Sequence, residues 1–264
     1  MERVSVLMGV YNCEKYLQQA LDSLYAQTYR DFKIIICDDG SADKTYEIAE
    51  QNAASHSNIV LIRNQRNMGL NHTLNLCLEL ADTEYCARMD GDDISLPPRF
   101  EKEVKFLDEH PEYAIVSTPM KYFDEVGVFR EGRGEGEPLI KDFPKGTPFC
   151  HAPCMVRRQA YEAVGGYTVS GKLLRVEDYH LWIKMYEKGY KGYVIPEPLY
   201  MMRDDRRAAH RRSLPARINE ARVKAIAVKA FRLPVWNYIY CLKPVILGLL
   251  PYGVYTLLRR IKNG

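Results

Sequence analysis

The sequence of 264 residues predicts an α/β protein built on a doubly wound, mostly parallel sheet. Three observations carry that prediction. Short apolar runs alternate with segments of helical period. The runs are apolar almost without interruption, as strands covered on both faces are. Each run ends in a polar cluster, and in such sheets ligands bind beyond the carboxyl ends of the strands.

Residues 4–8 form the first apolar run, ending at Gly9. Tyr16, Leu17, Ala20, Leu21 and Leu24 then recur on one helical face, with Asn12 placed as a cap. A second run at residues 34–37 stops at Asp38-Asp39-Gly40-Ser41, and Ser41 is placed to cap a helix over about residues 43–54. The third run is residues 59–62, and Leu70, Leu74, Cys77, Leu78 and Ala81 share the face of a third helix. Residues 85–89 make a fourth strand that ends at Asp90. Tyr11-Asn12, Asp38-Asp39, Asn67 and the acidic run from Asp90 to Asp93 should therefore meet in one crevice.

The second half is less regular. Pro97-Pro98 precede a helix carrying Phe100, Val104 and Leu107. Residues 131–148, rich in Gly, Pro and charge, read as a long loop. A short helix over about 158–164 is stopped by Gly165-Gly166, and a longer one over about 176–188 opens on Glu177-Asp178, whose carboxylates suit its positive end. Beyond residue 234 the chain is apolar and aromatic but broken by Lys243, Pro244 and Pro251. That segment is too interrupted to span a bilayer, which takes about 20 apolar residues. Two short amphipathic helices on an anionic membrane surface fit it, with Trp and Tyr at headgroup level and Arg259, Arg260 and Lys262 facing lipid. The alternative is that they pack on the catalytic domain or join two copies as a homodimer. The expected division is a catalytic domain over 1–212, with a nucleotide-binding half to about 95 and an acceptor half after it, then a helical segment over 213–264.

Hydrophobic content of 47% and charged content of 27% are those of a folded globular chain, and a net charge of +3 gives no argument for nucleic acid. Seven cysteines, an odd number, are scattered, and the opening apolar run is too short for a signal sequence. Reduced thiols and a cytoplasmic location, peripheral on the inner face of the cell membrane, are expected. Cys150-His151-Ala152-Pro153-Cys154 lacks the second ligand pair that zinc needs.

Asp90-Gly91-Asp92-Asp93 places three carboxylates within four residues, and their repulsion is relieved most simply by a bound cation. Hard oxygen donors point to Mg²⁺ or Mn²⁺, which would neutralise a departing diphosphate. The alternative is a solvated acidic turn. Asp178 at a helix head is the candidate general base. Arg203, His210 and Arg211 belong to a basic cluster suited to a diphosphate, of the donor or of a lipid acceptor, or to a solvated surface laced with ion pairs.

Val10-Tyr11-Asn12, Asp38-Asp39-Gly40-Ser41, Asn67-Met68-Gly69-Leu70, Ala87-Arg88-Met89-Asp90-Gly91-Asp92-Asp93 and Glu177-Asp178, in this order and at these intervals, resemble the family 2 glycosyltransferases of the GT-A fold. The resemblance covers about residues 3–212, and the C-terminal pattern looks like the bacterial exopolysaccharide and capsule branch. It implies that Asp39 binds the nucleobase, usually uracil, flanked by Val10 and Tyr11, with Asn67 and Arg88 as further nucleotide contacts. It implies Asp90 near the ribose or metal, Asp92 on the metal and Asp93 as an alternate or outer ligand. Asp178 looks like the base with Glu177 beside it, His151 lies near a sugar, and His210 completes the metal site once donor is bound. Gly91 departs from the more usual Ala or Ser.

The expected reaction is an inverting transfer from a nucleotide-sugar, UDP-linked by resemblance, to a saccharide or lipid-linked saccharide hydroxyl. A nucleotidyltransferase would need a Gly- and Arg-rich phosphate loop after the first strand, which residues 9–12 lack. A regulatory protein on the same fold would be expected to have lost carboxylates, and all are present.

Overall fold

A computed structural model describes residues 2–204 and 213–249. The chain runs β1 (Val4–Val10), α1 (Leu17–Tyr25), β2 (Phe32–Asp38), α2 (Thr45–Ser55), β3 (Ile59–Arg63), α3 (Leu70–Glu79) and β4 (Tyr85–Arg88). There follow β5 (Ile94–Ser95), α4 (Arg99–Glu109), β6 (Ile115–Ser117), β7 (Met120–Asp124), β8 (Gly127–Glu131), β9 (Met155–Arg157), α5 (Arg158–Val164) and α6 (Glu177–Glu187). The last elements are β10 (Gly192–Val194), β11 (Tyr200–Arg203), α7 (Leu214–Ala230) and α8 (Ile239–Leu249).

Seven strands form one sheet in the order β10-β6-β9-β4-β1-β2-β3. Its pairs are parallel except where β9 runs against both β4 and β6. The chain winds outward from β1 through β2 to β3, then returns to the other side of β1 as β4, so the direction of winding reverses between β1 and β4. A crevice opens at such a reversal. Alternate residues of β1 feed two cores. Leu7 packs with α3, α5, α6 and α7, while Val4, Val6 and Met8 pack with α1 and α4. Helices thus cover both faces, which is why the strands are apolar throughout.

Two expected helix caps are not made. Helix α1 begins after Tyr16 and α2 after Lys44, neither with a side-chain cap. Asn12 instead takes positive φ (48°), and its Oδ1 accepts the N–H of Ala42 at 2.9 Å. Ser41 Oγ accepts the N–H of Asn12 at 2.9 Å. The two polar groups tie the β1 and β2 exits together, a use that outcompetes capping because both loops cross the same crevice.

The irregular second half contains a further four-stranded sheet, β5-β11-β7-β8, that sequence periodicity does not reveal because its strands are short. Beyond β8, residues 132–148 are a loop holding one 3-10 turn, Ile140–Lys145. Helix α7 buries Val223 and Ala227 in the core that contains α6, so this part of the C-terminal segment packs on the catalytic body. Helix α8 is described over Ile239–Leu249, with Pro244 inside it. Arg259, Arg260 and Lys262 lie outside the described residues. All seven cysteines are free, and Cys154 Sγ contacts Cys150 O beside its turn.

Candidate active site

The exits of β1 and β2 and the head of α3 enclose a cavity of about 220 Å³, lined by Gly9, Val10, Tyr11, Asp39, Asn67, Gly69, Leu70 and Thr73. Val10, Tyr11, Asp39 and Asn67 are therefore neighbours, as the sequence led one to expect. Tyr11 stands 47% exposed at the rim. Asp39 is only 4% exposed. Its Oδ1 accepts Asn64 Nδ2 at 2.7 Å and the Met68 N–H at 2.8 Å, and its Oδ2 accepts the Gly69 N–H at 2.8 Å. Charge-assisted bonds of this kind are the strong ones, so Asp39 builds the rim as well as facing the cavity. Asp38 points the other way. It is fully buried, paired with Arg63 Nε at 3.0 Å.

The acidic loop follows β4. Asp90 is half-buried and ion-paired with Arg88, while its N–H donates to Tyr200 Oη at 3.2 Å. Asp92 is exposed at the crevice mouth, yet loss of water against the crevice walls pushes its carboxyl above the ordinary range, and the Asp90 charge adds to this. Asp93 departs from expectation as a ligand. It is 2% exposed, turned inward, and its Oδ1 accepts the Arg203 N–H at 2.7 Å. Burial first, then the charges of Asp90 and Asp92, holds its carboxyl well above the usual range.

Among the described residues no three His, Cys, Asp or Glu side chains gather closely enough to hold a metal by themselves. The Asp90–Asp92 repulsion is what a divalent cation relieves, and two hard carboxylates fit Mg²⁺ or Mn²⁺ when diphosphate oxygens and water complete the shell.

Two arginines are placed differently from the sequence reading. Arg88, expected as a nucleotide contact, is 0% exposed. It reaches the crevice only through Asp90, its other bonds going to Leu7 O at 3.0 Å and Met89 O at 2.7 Å. Arg203, expected near a diphosphate, supports the acidic loop from outside. Its Nε donates to Asp92 O at 3.0 Å, and its guanidinium sits over the rings of Tyr16 and Phe123 at 3.9 and 4.4 Å. Aromatic stacking of this kind favours arginine because its planar cation is weakly hydrated.

Glu177 and Asp178 occupy the first turn of α6, half-buried, where the helix dipole favours negative charge. The Asp178 charge acts on Tyr167 and on Cys150, whose thiol burial pushes up to about 11. His151 Nε2 lies 2.8 Å from Tyr167 Oη. Burial, then the Arg88 charge, holds His151 well below its usual range, so it is a neutral imidazole. The Arg88 charge also acts on Glu177 and Tyr167. His210 and Arg211 lie outside the described residues.

Residues 5–165 match the family model described as glycosyl transferase family 2. The chain belongs to that family. This family 2 glycosyltransferase is 42% identical over 259 residues to EpsE of Bacillus subtilis, named as a glycosyltransferase, covering 96% of this chain and 91% of EpsE. It is 28% identical over 192 residues to WfaP of Escherichia coli, named a UDP-Glc:alpha-D-GlcNAc-diphosphoundecaprenol beta-1,3-glucosyltransferase, covering 73% of each. Two solved structures share the fold. Staphylococcus aureus TarS 1-349 in complex with UDP-GlcNAc superimposes with TM-score 0.71 at 18% identity, covering 94% of this chain and 71% of TarS. The mannosyltransferase PcManGT of Pyrobaculum calidifontis, in complex with GDP-Man and Mn²⁺, gives 0.68 at 19% identity, covering 99% and 79%. The family 2 glycosyltransferase therefore has the GT-A fold.

Four groups that shape the site escape a reading of its sequence. Asn64 and Tyr167 lie between recognisable motifs. Tyr200 opens the short strand β11, and Arg99 hides in an ordinary helix. Only the i,i+4 spacing of Arg99 and Glu103, a fully buried pair at 3.1 Å, leaves a trace.

Proposed function

We propose that this family 2 glycosyltransferase transfers a sugar from a UDP-sugar to a hydroxyl of a lipid-linked saccharide, with inversion, during bacterial cell-surface polysaccharide synthesis. The observation that supports it is the cavity at Val10, Tyr11, Asp39 and Asn67, whose Val10 side chain lies against Gly91 in the Asp90–Asp92 loop. A nucleoside fits the cavity, a diphosphate the acidic loop through a cation, and the sugar the space before α6. The donor chemistry follows the UDP-sugars of WfaP and TarS, and the acceptor the diphosphoundecaprenol of WfaP.

Asp178 is the base. Its carboxylate takes the proton of the acceptor hydroxyl as that oxygen bonds to the anomeric carbon, and the carbon–oxygen bond to the nucleoside diphosphate breaks on the opposite side. One displacement inverts the centre. Asp92, with Asp90, would hold Mn²⁺ or Mg²⁺, which supplies charge neutralisation for the departing diphosphate. Asp39 and the Met68–Gly69 backbone hold the nucleoside end rigid, which keeps the anomeric carbon in place.

The acceptor places the enzyme at the membrane, peripheral on the cytoplasmic face. Residues 221–264 contain eight Lys and Arg and no Asp or Glu. Val235, Trp236, Ile239, Leu242, Ile246 and Leu249 project from the 3-10 turn Val235–Tyr238 and α8, each more than half exposed. An apolar face among cations suits an anionic bilayer surface. No helix among the described residues is long and apolar enough to cross a membrane.

The deciding experiment is a screen of UDP-sugars for transfer or slow hydrolysis, run beside Asp178→Asn. The variant should bind UDP normally and lose about 10²–10⁴-fold in turnover, the contribution of a positioned base. Turnover at the parent rate would remove Asp178 from the mechanism.

A further inference from the structure

We infer that Arg203 is a positioning residue: it holds the backbone at Asp92 and thereby sets where that carboxylate meets a divalent cation. The inference rests on the transferase reading of the site. The acidic loop is the crossing between two sheets. It leaves the seven-stranded sheet after β4 and enters the four-stranded sheet as β5. Strand β11 lies beside β5, with Tyr200 opposite Ser95 and Met201 opposite Ile94. From that place it grips the loop at Asp90, Asp92 and Asp93. Tyr200 Oη accepts the Asp90 N–H at 3.2 Å, the Arg203 N–H donates to Asp93 Oδ1 at 2.7 Å, and Arg203 Nε donates to Asp92 O at 3.0 Å. The opposite flank is closed by packing. A Cβ on Gly91 would stand 2.9 Å from Cys13 Sγ and 3.0 Å from Val10 Cγ1, so the loop has no room to retreat toward β1.

The Arg203 side chain is itself fixed. Its Nη2 donates to Gln19 Oε1 at 2.6 Å, and its guanidinium lies over Tyr16 and over Phe123, its neighbour on β7. Helix α1, β7 and the acidic loop thus meet on one planar cation. Asp92 is exposed, so water could serve its carbonyl as well. Satisfying that acceptor is therefore a small gain. The larger effect is orientation. A carbonyl held by a fixed donor keeps its planar peptide from turning, and the carboxylate on the adjoining Cα is held with it. Groups that orient metal ligands from outside govern affinity without touching the metal. The bond to Asp93 uses the main-chain N–H, so side-chain substitutions at position 203 leave it in place. Lysine is no substitute, because an ammonium lacks the planar fork that stacks on the rings while donating to Asp92 and Gln19.

The test is UDP binding by calorimetry, in Mn²⁺ and again in EDTA, for the full chain and for Arg203→Lys and Arg203→Ala, with thermal melting to check folding. An arginine that touches the diphosphate matters with or without metal. One that acts through Asp92 matters only with metal. Both variants should lose about tenfold in UDP affinity in Mn²⁺, as is typical when a group that orients a metal ligand is removed, and match the parent in EDTA. Equal losses in the two buffers, or no loss in either, would overturn the positioning role. So would parent-like binding by Arg203→Lys beside a defective Arg203→Ala, since charge alone would then suffice. If UDP binding in EDTA is too weak to compare, Mn²⁺ binding to the nucleotide-free chain, followed by paramagnetic resonance, decides. Charge and position predict opposite signs there, because removing a cation beside the loop favours Mn²⁺ by Coulomb's law. Weaker Mn²⁺ binding by Arg203→Ala upholds the role, and equal or tighter binding removes it. If neither Arg203 variant folds, Gln19→Leu takes their place: a loss confined to Mn²⁺ upholds the role and its absence overturns it. A parent chain that binds UDP in neither buffer would overturn the transferase reading and this inference together. A parent that binds UDP equally in both would remove the metal role of Asp92, and the inference with it, but not the transferase reading.

Discussion

Asp39 Oδ2 accepts the backbone N–H of Gly69 at 2.8 Å, so the end of β2 and the head of α3 are a single rigid rim. With the Met68 N–H and Asn64 Nδ2 on Oδ1, the carboxylate satisfies three donors. Asp39→Asn keeps the shape but sets an amide against an N–H. It should cost about 2 kcal/mol, or about 4–8 °C in Tm for a chain of this size, and weaken UDP binding about tenfold. A loss of binding with unchanged Tm would show that Asp39 is only a ligand contact.

Gly40 has φ +71°, and a Cβ there would stand 2.7 Å from the Arg66 backbone. Gly69 also has positive φ, +90°, but a Cβ would meet nothing within 4 Å. Gly40→Ala should therefore destabilise by about 3 kcal/mol or more, the sum of overpacking and backbone strain. Gly69→Ala carries the backbone strain alone, at φ +90° and ψ 153°, and should cost less, about 1–3 kcal/mol. Chemical denaturation of the two variants checks the order, and equal losses would contradict the close approach at Gly40.

Burial raises the Glu103 carboxyl to about 7, with Arg99 opposing the shift. A carboxyl raised on folding holds its proton in the folded state where the unfolded chain has released it. Stability from this group is present below the ordinary carboxylate range and is lost as pH rises toward 7, by at most about 3 kcal/mol. Wild type should therefore lose Tm relative to Glu103→Gln between pH 5 and 8. A gap that stays constant, or moves the other way, would refute the assignment.

Trp236 is 72% and Ile239 64% exposed on the outward face of the C-terminal helices. Replacing both by Ser should leave the fold intact, because neither side chain is in the core, and reduce flotation with anionic vesicles about tenfold or more. Neutral vesicles should bind wild type less well, since the flanking cations act only on charged lipid. Undiminished flotation of the double variant would assign this face to a protein contact.

Periodicity and turn chemistry are local, so the sequence by itself determined the alternation of strands and helices, the winding of the sheet, and the cavity where Tyr11, Asp39 and Asn67 meet. The tertiary structure decided how the polar groups are spent. Asp93 is drawn inward by the Arg203 N–H, 110 residues away, and Arg88 is sealed between Leu7 O and Asp90. Arg203 is stacked over the rings of Tyr16 and Phe123. A carboxylate or guanidinium in a motif looks the same in sequence whether it faces ligand or protein. Burial makes the difference, because a polar group taken from water must find its partner among whatever residues folding brings beside it.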